Sequence, residues 1–403
     1  MINLLLKNID YLQRSFFIMK PEFRNEILTC FGGAFLVMFM IGIYFVYLPW
    51  NMQRLDISET QLGISICAFG FANLFANQLG ARIIVPKIGT SNTIIIGILV
   101  FSYLPLLIAS VPNYFYFTLF FIPIGIGAGL IFPVLNSQMA IIEQKTNKIL
   151  IPFTQACFSA GSLFGALGAA FFIKLVPDPR ITFLIVGTLF FIYSACFYYF
   201  GLNKKYEIDE KIERFKLPEN NIFIYGFLLM INFATLGIII DWSPIWLTKD
   251  LGAPLFLGGL IIIFFNGGEI LARVAASKLI NKFGDITVGS YFSIISCTIL
   301  FLSILTSNLY IILFGIIIFG FGTANFVAVV LRQAISETNE SISLTVSNLL
   351  TLGFAGFIFG PAIVGYLAEL ISLTFNMYLL SIIWAFNGLA LFYLINKNKL
   401  KDN

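Results

Sequence analysis

Asp241, Glu269 and Arg273 are charges set inside long apolar runs. An ionisable group at membrane depth is costly, so each marks a pathway, a gate or a proton relay by default. Glu269 and Arg273 are four residues apart, which places both on one face of a helix where they can pair. That pair is either a structural tie at the end of its run or a gate that breaks on opening. Asp241 lies about one turn inside the end of its run, is followed by Trp242 and Trp246, and has no cation at helical spacing. It is either an interfacial acid beside a tryptophan belt or an outer-gate or solute-contacting acid, open to protonation.

Uncharged polar groups in other apolar runs are candidates to line a solute cavity: Tyr44, Tyr47, Asn136, Gln155, Asn232, Asn266, Asn325 and Asn348, with Trp242 beside Asp241. A lone Asn in a span usually serves as a helix–helix bond, worth about 0.6 kcal/mol in measured cases. Tyr44, Tyr47 and Trp242 offer the makings of an aromatic cage. The chain has no histidine, which excludes histidine-based metal sites, Ser-His triads and histidine relays. Its five cysteines, Cys30, Cys67, Cys157, Cys196 and Cys297, sit in apolar runs without CxxC spacing and read as packing residues. No Gly-Lys dipeptide occurs, so there is no phosphate-binding P-loop. Gly125-x-Gly127-x-Gly129 lacks the preceding strand that a dinucleotide loop requires. No metal, cofactor, nucleic-acid partner or covalent chemistry is expected; the chain is not expected to be an enzyme.

These groups have to be held by membrane-spanning helices. Hydrophobic residues make up 59% of the 403 and charged residues 11%, against about 25% charged in soluble domains. Apolar runs at 27–48, 59–80, 92–111, 114–135, 151–172, 181–202, 221–246, 255–278, 286–306, 309–332, 343–368 and 373–396 each have the length of one span. Six runs, a charged gap and six more predict an all-α membrane protein. A single offset of 195 relates the halves: Gly42 to Gly237, Pro49 to Pro244, Lys87-x-Gly89 to Lys282-x-Gly284, and Gly161-x-x-x-Gly165 to Gly356-x-x-x-Gly360. Twelve transmembrane helices in two six-helix bundles related by a parallel repeat follow. The expected division is a segment 1–26, a bundle 27–202, a linker 203–220, a bundle 221–396 and a tail 397–403. Gly161, Gly165, Gly356 and Gly360 form flat helix faces for close packing, and in spans 5 and 11 such faces would let one bundle rock on the other. The repeat counterparts of Asn232 and Asn325 are Val37 and Leu130, so the C-terminal half is expected to hold more of a solute's polar end.

Of the 24 Lys and Arg, all but Arg54, Lys174, Arg180 and Lys249 fall on the side of the termini and linker, which predicts that side to be cytoplasmic. Residues 1–20 carry apolar residues at helical spacing with charges between, the pattern of an in-plane amphipathic helix; the alternative is a loose leader, translated or, with Met19 as the start, not translated.

The chain resembles the major facilitator superfamily in its six-plus-six parallel repeat and charged linker. Three stretches resemble the fucose-permease-like branch of bacterial carriers: Gly125-x-Gly127-x-Gly129 followed by Asn136 and Glu143; Ser159-x-Gly161-x-x-x-Gly165-Ala166; and Asp241-Trp242-Ser243 followed by Leu247. Gly360-Pro361 fits the superfamily as well. The chain departs from that branch at Phe132, where an acid is frequent, and at Gln155, where a histidine is frequent. The basic loop between spans 2 and 3 is reduced to Gly80-Ala81-Arg82 and Lys87-Ile88-Gly89. The resemblance implies a secondary transporter of the bacterial inner membrane that moves a small polar solute by alternating access, as a monomer, with or without protons. It also implies that spans 1, 4, 7 and 10 line the cavity. Competing readings are an uncoupled facilitator or exporter and a non-transporting membrane sensor.

Overall fold

The computed structural model describes residues 23–146, 150–176, 178–207, 220–337 and 342–399. Among them, twelve helical segments are long and apolar enough to cross a membrane. They are α1 Arg24–Val46, α2 Glu59–Ile88, α3 Thr90–Ile108, α4 Tyr114–Glu143, α5 Phe153–Leu175, α6 Pro179–Phe200, α7 Phe223–Asp250, α8 Leu255–Val274, α9 Lys278–Leu305, α10 Leu309–Ser336, α11 Leu349–Leu370 and α12 Leu373–Lys397. Helix is the element lipid enforces, because a hydrocarbon core offers no partner to an open backbone group. The ends carry polar caps: Ser58 and Gln61 exchange bonds in a capping box at the start of α2, and Asn308 accepts from the Tyr310 and Ile311 amides at the start of α10.

The helices pack in two matching bundles. α1 lies along α5, α2 along α4, and α3 along α4 and α6; α7 lies along α11, α8 along α10, and α9 along α10 and α12. The match reaches individual atoms. A Cβ on Gly161 would strike the Phe35 carbonyl and one on Gly356 the Met230 carbonyl, and Phe35 and Met230 are themselves one repeat apart. Gly127 packs on Gly97 and Phe101; its image Gly322 packs on Phe292 and Ser296.

These glycine faces lie within the bundles, α5 on α1 and α11 on α7, so they are not the rocking surfaces expected of them. The seams between bundles are α2 against α11 and α5 against α8. There the close approaches are made by Gly63 to Pro361, Gly70 to Phe357, Gly259 to Ala166 and Gly365 to Glu59.

Two further differences from the sequence-based boundaries bear on the site. Helix α7 runs on to Asp250 through two wide π turns, Ile238–Trp242 and Trp246–Asp250, so Asp241 lies more than two turns inside the segment. Helix α4 continues past residue 135, and there Asn136 and Ser137 return their side-chain donors to the Phe132 and Pro133 carbonyls, 3.0 Å in each case, so that polar side chains are satisfied within the helix.

Of the linker, residues 203–207 dock on the N-terminal bundle. Glu207 accepts from the Thr90 amide at 2.7 Å and hydroxyl at 2.8 Å, where a carboxylate complements the exposed amides of a helix start. The expectations for residues 1–22, for 208–219 and for 400–403 fall outside the described residues.

Gly89 and Gly284, one repeat apart, adopt φ of +87° and +79°, with ψ of 166° and 167°, a region essentially reserved for glycine. Nothing lies within 4 Å of a Cβ built on Gly284, so Gly284→Ala isolates the backbone term. It is expected to lower stability by about 1–3 kcal/mol, read as an earlier thermal unfolding midpoint in detergent; an unshifted midpoint would show that the loop relaxes at no cost.

Candidate functional site

The α5–α8 seam carries a polar cluster over two successive turns. Arg273 Nη2 donates to Glu269 Oε1 at 2.7 Å, as the four-residue spacing predicts. The third member comes from the other bundle: Ser159 donates to Glu269 Oε2 at 3.1 Å and accepts from Arg273 Nη1. One turn away, Asn266 donates to Ser162 at 3.2 Å and to the Ile262 carbonyl at 2.8 Å. Glu269 and Asn266 are buried, and a buried carboxylate is tolerable when it is paired and its remaining lone pairs are bonded. The repeat images of Ser159, Ser162, Asn266, Glu269 and Arg273 are Phe354, Phe357, Phe71, Leu74 and Gln78. The α2–α11 seam is correspondingly apolar at this level, with Phe71 edge-on to Phe359 at 6.2 Å. One backbone repeat thus carries two chemically different seams.

At the end of the molecule that holds residues 49–57 and 247–257, a second tie crosses between bundles. Lys249 pairs with buried Glu59, and the Thr60 amide donates to Glu369 Oε2 at 3.2 Å. Glu59 escaped the sequence reading because Ser58-Glu59-x-Gln61 reads as an ordinary helix start; no local signal announces a partner 190 residues away. The repeat image of Lys249 is Arg54, which stays in its own bundle. Arg54 donates to the Ile108 carbonyl at 3.1 Å and to the Val111 carbonyl, and lies 5.1 Å over the Trp50 ring.

Between these ties lies Asp241. It is 7% exposed, on the π turn of α7, and has no hydrogen bond or ion pair to another described residue. Tyr44 of α1, buried and with its hydroxyl unpartnered, is within electrostatic range of it from the opposite bundle. The indole N–H of Trp242 is likewise buried without a partner.

Other predicted residues are placed differently. Tyr47 turns into its own bundle, with its hydroxyl 3.4 Å from that of Thr182 and its ring against Phe183, so Tyr44, Tyr47 and Trp242 do not form one aromatic cage. Gln155 donates to Asn136 at 2.9 Å, joining α5 to α4. Asn325 donates to the Ala272 carbonyl at 3.3 Å within the C-terminal bundle. Asn232 is buried with its Oδ1 unpartnered. The side chain of Asn348 lies outside the described set.

Twelve spans in two repeated bundles, with a charged cluster on one seam between them and a buried acid on α7, have the architecture of a polytopic carrier. The family model of the Major Facilitator Superfamily matches residues 30–347, and the chain belongs to that family, a family of transporters and not of enzymes: it is a secondary transporter. An uncharacterized MFS-type transporter of Yersinia pestis is 25% identical over 328 residues, 81% of this chain and 84% of the relative. The membrane protein MosC of Rhizobium meliloti is 22% identical over 335 residues, 81% of this chain and 79% of its own. Multidrug resistance protein 2 of Bacillus subtilis is 22% identical over 385 residues, 86% and 90% of the two chains. Among solved structures, a point mutant of the nucleoside transporter NupG covers 91% of this chain with 99% of its own at a TM-score of 0.74 and 16% identity. A D-xylose-proton symporter covers 91% with 96% of its own at 0.74 and 15%. At such identities the structures show the fold alone.

Proposed function

We propose that the chain moves a small polar solute across the bacterial inner membrane by alternating access, as a monomer, with the solute bound between bundles 27–202 and 221–396. The termini and the 203–220 linker are cytoplasmic in this reading, on the strength of the Lys and Arg distribution. A reporter fused at Lys211 or after Lys401 is expected to be active only in a cytoplasmic form; a periplasmic signal from either would overturn the orientation.

Proton coupling through Asp241 is the finer part of the proposal. The observation that carries it is the isolation of this carboxylate: Glu59 holds Lys249 and Glu269 holds Arg273, whereas Asp241, equally buried, has no cation among the described residues. A proton is the smallest species that can neutralise it in a low-dielectric seam. The Glu269–Arg273–Ser159 triad and the Glu59–Lys249 pair serve as ties that must part when the bundles rock. Asp241→Asn is expected to lose accumulation driven by a pH gradient. Gradient-driven accumulation at the unmodified rate in Asp241→Asn would remove Asp241 from this role.

A further inference from the structure

The Asp241 carboxylate sits in a niche that the repeat does not reproduce in the other half. A Cβ on Gly42 would run into the backbone of α5, with the Ser162 carbonyl at 2.5 Å and the Ala166 amide at 3.2 Å. At the repeat image, Gly237, the nearest atoms are Asp241 Oδ2 and the Phe357 ring, both at 3.6 Å. The same loosening recurs one repeat apart at Gly165, pressed on the Phe39 backbone, and Gly360, whose nearest neighbour is the Ala234 Cβ at 3.2 Å. Helices α7 and α11 therefore stand further apart here than α1 and α5. The π turn of α7 delivers Asp241 into the space gained.

An aromatic slab borders that space. Phe233 stacks on Phe354 at 5.2 Å and on Phe357 at 5.3 Å, with Phe354 and Phe357 6.2 Å apart. All three rings remain partly exposed. Their repeat images are Met38, Ser159 and Ser162, so the slab is also absent from the N-terminal half. From the opposite bundle comes Tyr44 with its free hydroxyl.

We propose that Asp241, Tyr44 and the Phe233–Phe354–Phe357 slab form the recognition site for a solute bearing one positive charge on an apolar or aromatic body. The charge would lie against the carboxylate with the rings beside it, the arrangement in which a desolvated cation is held by a counter-ion and by ring faces together. This rests on the transport reading above and replaces its small polar solute by an amphipathic cation. Because one carboxylate serves both, cation and proton occupy it in turn, and transport is an exchange of the two. Tyr44 from α1 lies within electrostatic range of Asp241, with Arg54 behind it in range of Tyr44, and the Phe357 ring of α11 borders the same space beside Gly237. The Glu59–Lys249 pair is self-neutralised.

The test is direct binding to the full chain in nanodiscs by equilibrium dialysis. The probes are tetraphenylphosphonium, neutral triphenylphosphine oxide, tetraethylammonium and sodium. Saturable binding of tetraphenylphosphonium is expected, weakened by acid, and at least tenfold tighter than that of the neutral analogue or of either non-aromatic cation. Asp241→Asn is expected to lose about thirtyfold or more in affinity, together with the acid sensitivity. Asp241→Glu should keep both, and Phe357→Leu should lose about tenfold while staying acid-sensitive. The proposal is overturned if Asp241→Asn, monodisperse on size exclusion, binds the probe as the unmodified protein does. It is equally overturned if the neutral analogue binds as tightly as the cation, if sodium competes as well as tetraphenylphosphonium, or if binding never saturates. A pH-gradient accumulation assay on the same preparations separates the two readings. A gradient response lost in Asp241→Asn without cation binding sinks the solute class alone. Cation binding at Asp241 without any gradient response sinks the coupling alone.

Discussion

Arg273→Met is expected to destabilise the folded protein by about 3–5 kcal/mol, and the double variant Glu269→Gln/Arg273→Met to recover most of that loss. The reasoning is one of asymmetry. The Glu269 side chain is 6% exposed and that of Arg273 is 21%. Removing the arginine strands a carboxylate in the seam with only the Ser159 hydroxyl for company. Removing the charge on Glu269 leaves the less buried partner unpaired, so Glu269→Gln alone should be milder. Removing both charges leaves no unpaired ion. Thermal unfolding followed by fluorescence-detected size exclusion ranks the four proteins. An Arg273→Met protein as stable as the parent would mean that Glu269 is solvated in the resting protein and that the seam is wetter than its burial implies.

The second large effect is steric. Gly161→Leu and Gly356→Leu are expected to abolish recovery of monodisperse protein, because in each the new side chain meets a carbonyl oxygen of the facing helix. Overpacking a core typically costs about 1–3 kcal/mol, and more where the obstacle is backbone, since no rotamer of a neighbour relieves it. Gly360→Leu should be the gentlest of the series, as a Cβ there meets only the Ala234 side chain and backbone at 3.2 Å and beyond. Equal yields across Gly161→Leu, Gly356→Leu and Gly360→Leu would contradict the difference in helix spacing on which the Asp241 niche depends.

Much of the architecture was legible because lipid makes it so. A chain that must satisfy every backbone group within its own segment has one economical solution, and each apolar run of about 20 residues reports it directly. The repeat was legible for a related reason. Glycines that let backbones touch cannot be exchanged without moving helices, so the register from Gly42 to Gly165 and from Gly237 to Gly360 is visible in the letters. Gly89 and Gly284 match for a different cause, since both adopt a positive-φ conformation that other residues enter only at a cost. The Glu269–Arg273 pair could be read because both partners lie on one helix, where spacing alone fixes proximity.

What the sequence left undetermined is whatever crosses between bundles. Ser159 completing the Glu269–Arg273 pair, Glu59 meeting Lys249, and Tyr44 standing opposite Asp241 each join residues far apart in the chain. Their meeting depends on how two rigid bundles are set against one another. No periodicity encodes that placement. Tyr47 shows the converse: three residues from Tyr44 and of the same type, it is turned by helix geometry toward Thr182 and away from the seam. The repeat symmetry even misdirected the reading of the glycine faces. It correctly paired Gly161 with Gly356, but symmetry within each half cannot say whether a flat face meets its own bundle or the other. Sequence by itself determined the spans, the repeat and the local ion pair, because lipid, close backbone contact and helical pitch act over short range. Only the tertiary structure decided which charges are tied, which carboxylate is left alone and where α7 and α11 part, because those follow from long-range packing of bundles that share a backbone plan and differ in side chains.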